Sequence, residues 1–245
     1  MISCDRASSV AEETDSGKQL KEAGFVIVPG LLTGAECDRL IAATSELLES
    51  LNAPAAKKIG GVRNILRDGA AVGALSRSET ILGLVHAHLP AAFPVRGILF
   101  DKNLRANWRV PWHQDLTIAV QEKLPTPGFG PWSVKAGVPH VQPPVAVLER
   151  MLAIRLHLDD CTADNGALRV IPGSHRCGEL TSEQIVELQK ARSAVVCEVP
   201  RGGALLMRPL LLHASSPASQ PEHRRVLHIE YAGESLPNGL TWFEQ

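Results

Sequence analysis

Trp112-His113-Gln114-Asp115 places an imidazole and a carboxylate two residues apart. In an extended segment, side chains at i and i+2 point to the same face, so both could reach one metal ion. A third ligand stands far downstream, in His213. It closes the largely apolar run 204–212, which follows the Gly202-Gly203 pair. Such a run must be mostly buried, so its terminal polar residue faces a cavity or needs a partner. Two His and one carboxylate around a metal, with other positions open, form the ligand set of non-haem Fe(II) oxygenases. The same set suits catalytic zinc. No Glu stands beside these ligands as a general base, so hydrolysis ranks last. The His113-x-Asp115 pair is weak evidence by itself, because a His near a strand end is more often structural.

Several elements must position these residues. A short helix over 18–24 leads into a strand over 24–28, stopped by Pro29-Gly30. Thr33-x-x-Glu36 fits a capping box, and Leu40, Ile41, Leu47, Leu48 and Leu51 follow at helical spacing. Asn52-Ala53-Pro54 should end that helix. Gly60-Gly61 introduces an extended piece over 62–66, and a second helix is expected over 77–88. A strand over 95–100 leads to the His113 motif. Residues 121–145 carry six Pro and three Gly, too many for a buried strand or helix. A stretch of that kind beside a metal ligand reads as a lid over the site, the alternative being a rigid surface loop.

The second half is dense in strands: 151–158, 166–171, 194–199, 204–207, a short strand ending at His213, and 226–231. A helix begins at Thr181, where Thr181-x-x-Gln184 fits a second capping box. Close strand spacing with Gly/Pro turns predicts a mainly β protein with flanking helices, folded as a jelly roll. One domain is expected over 18–245, preceded by a flexible polar tail over 1–17.

Composition excludes several classes of function. The 245 residues carry 25 basic and 26 acidic side chains, a net charge of -1 that gives nucleic acid no electrostatic footing. No apolar run approaches the ~18 residues of a membrane span. The tail lacks an apolar signal core, and the five Cys are scattered without a CxxC pair. Reduced thiols in a cytoplasmic protein follow. Oligomeric state is open.

Trp112-His113-Gln114-Asp115, the segment from Asp164-Asn165-Gly166 to Pro172-Gly173-Ser174-His175, and His213-Ala214-Ser215 followed by Arg224 together resemble the phytanoyl-CoA dioxygenase family. The start, from Gly24-Phe25-Val26 to Leu31-Leu32, is similar as well, so the resemblance spans 24–232. It implies a double-stranded β-helix that binds Fe(II), 2-oxoglutarate and O₂, with ascorbate a candidate reductant. His113, Asp115 and His213 would bind iron. Arg224 would hold the far carboxylate of 2-oxoglutarate, with a hydrogen bond from Ser215. A guanidinium matches a carboxylate with two prongs, which a Lys does not. Arg225 should face the other way. Asp115 stands where related halogenating enzymes have a small residue, which points to hydroxylation, with desaturation or ring closure as variants.

Other assignments stay open. Lys102 and Asn107 could reach the chelating end of 2-oxoglutarate. Ala153, Arg155 and His157 share a strand face; Arg155 meets a substrate or cosubstrate carboxylate there, or pairs with an acidic side chain. Arg63 and Asn64 either recognise a substrate or form a surface turn. His86, His88, His140, His223 and His228 read as structural or exposed, and His175 as a rival ligand in a structural turn. The expected substrate is a small, carboxylate-bearing molecule. A non-catalytic cupin-like binding protein is the competing reading.

Overall fold

Local signals start and stop the elements in chain order. The computed structural model describes residues 15–50, 61–220 and 222–245. Helix α1 (Asp15–Ala23) leads through Gly24 into strand β1 (Phe25–Val28). Residues 15–17, expected in the tail, are thus already helical; the rest of that tail lies outside the described residues. Thr33 then caps α2 (Gly34–Ser50) as its sequence requires. The Glu36 carboxylate accepts from Thr33 N at 2.7 Å, and Glu36 N donates to Thr33 Oγ1 at 3.3 Å. The expected stop at 52–54 lies outside the described residues.

The piece expected to be extended over 62–66 is short. β2 (Gly61–Arg63) ends at Asn64, whose φ of 66° breaks the strand. Helices α3 (Ile65–Asp68), α4 (Ala70–Ser76) and α5 (Glu79–His86) follow, and then the long strand β3 (Phe93–Lys102). After β3 come β4 (Val110–His113), β5 (Ile118–Ala119), β6 (Trp132–Lys135), β7 (Val138–Val141), α6 (Val145–Glu149) and β8 (Met151–His157). The chain continues with β9 (Leu168–Val170), α7 (Ser182–Ala191), β10 (Val195–Cys197), β11 (Ala204–Met207), β12 (His213–Ser215) and β13 (Arg224–Ala232). β12 starts at His213, where the sequence suggested a strand ending.

Two sheets build the barrel. One has six strands in the order β1-β11-β8-β13-β3-β2, the other four in the order β10-β9-β12-β4. Alternation along the six-stranded sheet divides its side chains. Leu152, Ile154, Leu156, Leu227, Ile229 and Tyr231 pack outward against Leu40, Leu47, Ile65, Ile81 and Val85 of the helices. Ala153, Leu205 and Met207 point inward and meet Leu168 and Val170 of the opposite sheet. The result is a jelly roll with helices on one outer face. No helix among the described residues is long and apolar enough to cross a membrane.

The Pro-rich stretch is more ordered than its composition suggested. β5, β7 and β6 form a small antiparallel sheet in that order, with Val138, His140 and Val141 buried. Pro139 fits because its carbonyl alone is needed there: it accepts from Val120 N at 3.0 Å.

A buried carboxylate ties the helices to the barrel. Glu244 accepts from Leu66 N at 2.9 Å, Arg67 N at 3.1 Å and Gly97 N at 2.6 Å. It thereby fixes α3 against β3, and so sets the positions of Arg63 and Arg96 beside them. Glu244→Ala leaves those buried N–H groups without their acceptor and should cost about 3 kcal/mol of stability, measured by chemical denaturation.

Candidate metal centre and its cavity

His113 and His213 are directly opposed across the β4–β12 ladder. Their ring centroids lie 4.2 Å apart. Gln114 anchors the segment between the first two ligands: its Nε2 donates to Gly178 O at 2.8 Å and Leu210 O at 2.7 Å, and its Oε1 accepts from Leu180 N at 2.8 Å. Asp115 N donates to Pro209 O at 2.9 Å, which turns the carboxylate back toward both rings. His113 Nε2 and His213 Nε2 lie 3.8 and 3.7 Å from the two Asp115 oxygens. One ligand atom from each of the three residues falls within 4.8 Å of the others.

The donor chemistry fits a divalent metal. His113 Nδ1 sits 2.9 Å from Pro111 O, and His213 Nδ1 2.8 Å from Leu211 O. A carbonyl only accepts, so each Nδ1 carries the proton and each Nε2 offers a lone pair toward Asp115. Burial, opposed by the neighbouring carboxylate, lowers His213 to about 4 and keeps it neutral. Burial favours the neutral acid at Asp115, but His213, His228, His113 and Arg96 hold it below the ordinary carboxylate range. A metal would bind Asp115 as the carboxylate and each imidazole through an unprotonated Nε2.

The triad opens into a cavity of about 490 Å³, the size of a small-molecule site. Arg224 is buried at one end and opposes Lys102 across β13 and β3. Its Nη1 donates to Gly166 O at 2.6 Å, while its Nε has no partner. Ser215 Oγ donates to the same carbonyl at 2.8 Å and accepts from Lys102 Nζ at 2.7 Å. Gly166 has a φ of +80°, and a Cβ there would stand 2.6 Å from Ser216 O and 2.9 Å from Lys102 Nζ. Only glycine fits that corner. Arg225 points away, as strand alternation requires, and forms a two-pronged pair with Asp159 at 2.8 and 2.7 Å.

The floor of the cavity carries a second polar system. Glu230 opposes Arg96 across the ladder, with Arg96 Nη1 and Glu230 Oε1 3.0 Å apart. His228 opposes Arg155, with Arg155 Nη1 3.1 Å from His228 Nδ1. His228 Nε2 lies 3.3 Å from Glu230 Oε1. Arginine only donates, so His228 Nδ1 accepts and its Nε2 carries the proton toward Glu230. Burial favours a neutral Glu230, but Arg96 and His228 keep it below the usual range and ionised. Arg155 therefore has a neutral imidazole beside it and no acidic partner among the described residues. Of the two alternatives for Arg155, the salt bridge to an acid is not formed among the described residues.

Other sequence expectations need correction. Lys102 opposes Arg224 and donates to Ser215 Oγ. Asn107 is outside the cavity wall and clasps Ala218, donating to its carbonyl at 2.9 Å and accepting from its N at 2.7 Å. Arg63 lines the cavity, but Asn64 only shapes the turn into α3. His228, expected to be structural or exposed, is part of the cavity wall, as are Arg96, Lys135 and Glu230, none of which were singled out. The available signal is the even spacing of Arg224, His228 and Glu230, four and two residues apart, which puts them on one strand face. His175 is not a ligand: its Nε2 meets Lys21 O at 3.2 Å, and its ring fills the space beside Gly24.

The family model for phytanoyl-CoA dioxygenase (PhyH) matches residues 20–226. No curated protein matches the chain. Several solved structures share the fold. AviO1 from Streptomyces viridochromogenes Tue57 has a TM-score of 0.67 at 20% identity, over 93% of this chain and 97% of that one. The non-heme alpha ketoglutarate dependent carbocyclase SnoK from nogalamycin biosynthesis scores 0.69 at 16% identity, over 94% and 86%. EctD from S. alaskensis, with 2-oxoglutarate and 5-hydroxyectoine, scores 0.68 at 19% identity, over 94% and 78%.

Lys102 yields a pH prediction. Burial, then Arg224, lowers its amine from 10.5 to about 7. Between those values the unfolded chain holds the extra proton, so this group makes stability rise as pH goes from about 7 toward 10.5. Lys102→Met should remove that slope. Denaturation of both proteins at neutral and alkaline pH measures the difference.

Proposed function

The chain belongs to the phytanoyl-CoA dioxygenase family of Fe(II)- and 2-oxoglutarate-dependent oxygenases, and from that premise we propose that it oxidises a C–H bond of a small, carboxylate-bearing metabolite. The observation that carries this reading is the convergence of His113, Asp115 and His213 within 4.8 Å in one cavity with Arg224. Hydroxylation is the default outcome, and desaturation or ring closure are variants of the same chemistry.

His113, Asp115 and His213 would hold Fe(II). With 2-oxoglutarate and O₂, iron supplies the oxidising power for C–H cleavage. Arg224 would take the far carboxylate of 2-oxoglutarate through its free Nε edge. Ser215 and Lys102 complete that corner with a hydroxyl and an amine. Arg155 also leaves its Nε without a partner, and its guanidinium lies 5.3 Å from the Phe100 ring centroid. It would add positive potential between the two ends of the cavity. The small β5-β7-β6 sheet places Lys135 in the cavity wall. As a lid, that segment would exclude water while the substrate is held. Four free cysteines among the described residues suit a reducing cytoplasm.

Succinate release tests the reading. It should require both Fe(II) and 2-oxoglutarate and be abolished in Asp115→Ala. Arg224→Gln should raise the KM for 2-oxoglutarate by about 10- to 100-fold. Stoichiometric metal binding without any succinate release would instead identify a cupin-like binding protein.

A further inference from the structure

Besides Arg155, two positive charges in the cavity, Arg63 and Lys135, remain unmatched after the cosubstrate corner is assigned. Arg224 and Glu230 are six positions apart on β13, about 20 Å at the rise of an extended chain. The Glu230 end is therefore remote from the cosubstrate carboxylate. Three cations converge there from separate parts of the chain. Arg63 pairs with Ile98 in the β2–β3 register and shares its inward face. Arg96 comes from β3, and Lys135 from the β6–β7 hairpin.

Their partners are unequal. Arg96 is matched by Glu230 at 3.0 Å. Lys135 donates only to the neutral Thr117 Oγ1, at 2.7 Å. Arg63 has no hydrogen-bond or salt-bridge partner among the described residues. Burial, then the charge on Arg96, pushes Arg63 and Lys135 below their ordinary values. Half-buried cations that repel one another need an anion between them. The acids nearby are committed: Glu230 to Arg96 and His228, and Asp115 to the metal ligands. None is left to receive an ammonium group.

We propose that Arg63 and Lys135, from the barrel edge and the hairpin, form an anion subsite that binds the substrate's carboxylate and selects acids lacking an α-ammonium group. The assignment rests on the oxygenase reading for the identity of the cavity. Lys135 is a specificity-determining residue, and Thr117 holds its ammonium in place. A carboxylate bridging the two cations also ties the hairpin to the barrel.

The full-length protein, loaded with Ni(II) and the inert 2-oxoglutarate mimic N-oxalylglycine, provides the test. It is titrated by calorimetry with phenylacetate and hexanoate, each beside its neutral amide and its α-amino acid counterpart, phenylglycine and norleucine. At least one carboxylate should bind about 10-fold or more tightly than both of its counterparts. Its binding should slow hydrogen exchange over residues 132–141. Arg63→Gln and Lys135→Gln should each erase the preference, and Lys135→Arg should restore it. The rise in melting temperature caused by N-oxalylglycine confirms that each variant is folded. Carboxylates that bind no better than amides, or a preference that survives both substitutions, would overturn the subsite. If N-oxalylglycine itself fails to bind the native protein, it is the oxygenase reading that fails.

Discussion

The pairing of β13 with β3 on one side and β8 on the other is the constraint on which the cavity depends. That register sets Arg224 against Lys102, Glu230 against Arg96, and His228 against Arg155. A slip of one residue in β13 would turn Arg224, His228 and Glu230 into the helical layer and bring Leu227, Ile229 and Tyr231 inside. The apolar outer face therefore selects the polar inner one. Burying ionised groups is costly unless each finds a partner. The floor meets this with an ordered series from Arg96 through Glu230 and His228 to Arg155, whose donors and acceptors allow only one tautomer at His228.

The candidate metal ligands rely on a different device. Each histidine fixes its own ring with an Nδ1 proton directed at the carbonyl two residues earlier, Pro111 for His113 and Leu211 for His213. Cross-strand opposition then brings the two Nε2 atoms together without help from a loop. Asp115 lies just beyond β4, where Gln114 and the Pro209 carbonyl hold the backbone. The geometry is thus preorganised by strand pairing, the most rigid support the fold offers.

What could be read from the sequence was local or ordered along the chain. His113-x-Asp115, Thr33-x-x-Glu36 and Thr181-x-x-Gln184 are short-range patterns, and the structure places each as its spacing implies. Arg224 and Arg225 face opposite ways because neighbours on a strand must. The Arg96–Glu230 contact joins residues 134 positions apart, and the Arg155–His228 contact residues 73 apart. No local pattern encodes those registers, so the sequence alone marks neither His228 nor Arg96. The helices over 65–76 were hidden because Ile65 and Leu66 also suit a strand; Asn64 in a left-handed conformation decides between them. The Pro-rich stretch misled in the opposite sense, since one proline carbonyl can serve a ladder that needs no N–H at that point.

Lys135 stands on the small β5-β7-β6 sheet, which shares no ladder with either barrel sheet. The candidate metal ligands His113 and His213 and the proposed keto-acid anchor Arg224 are locked into the strand registers, where few replacements are tolerated. The hairpin is bound by fewer registers: Val138, His140 and Val141 are buried and fixed, but its exposed positions, Ser133 and Val134 among them, can drift while the barrel stays intact. Divergence toward new substrates can therefore proceed by exchanging this one appendage, with the reaction itself inherited unchanged.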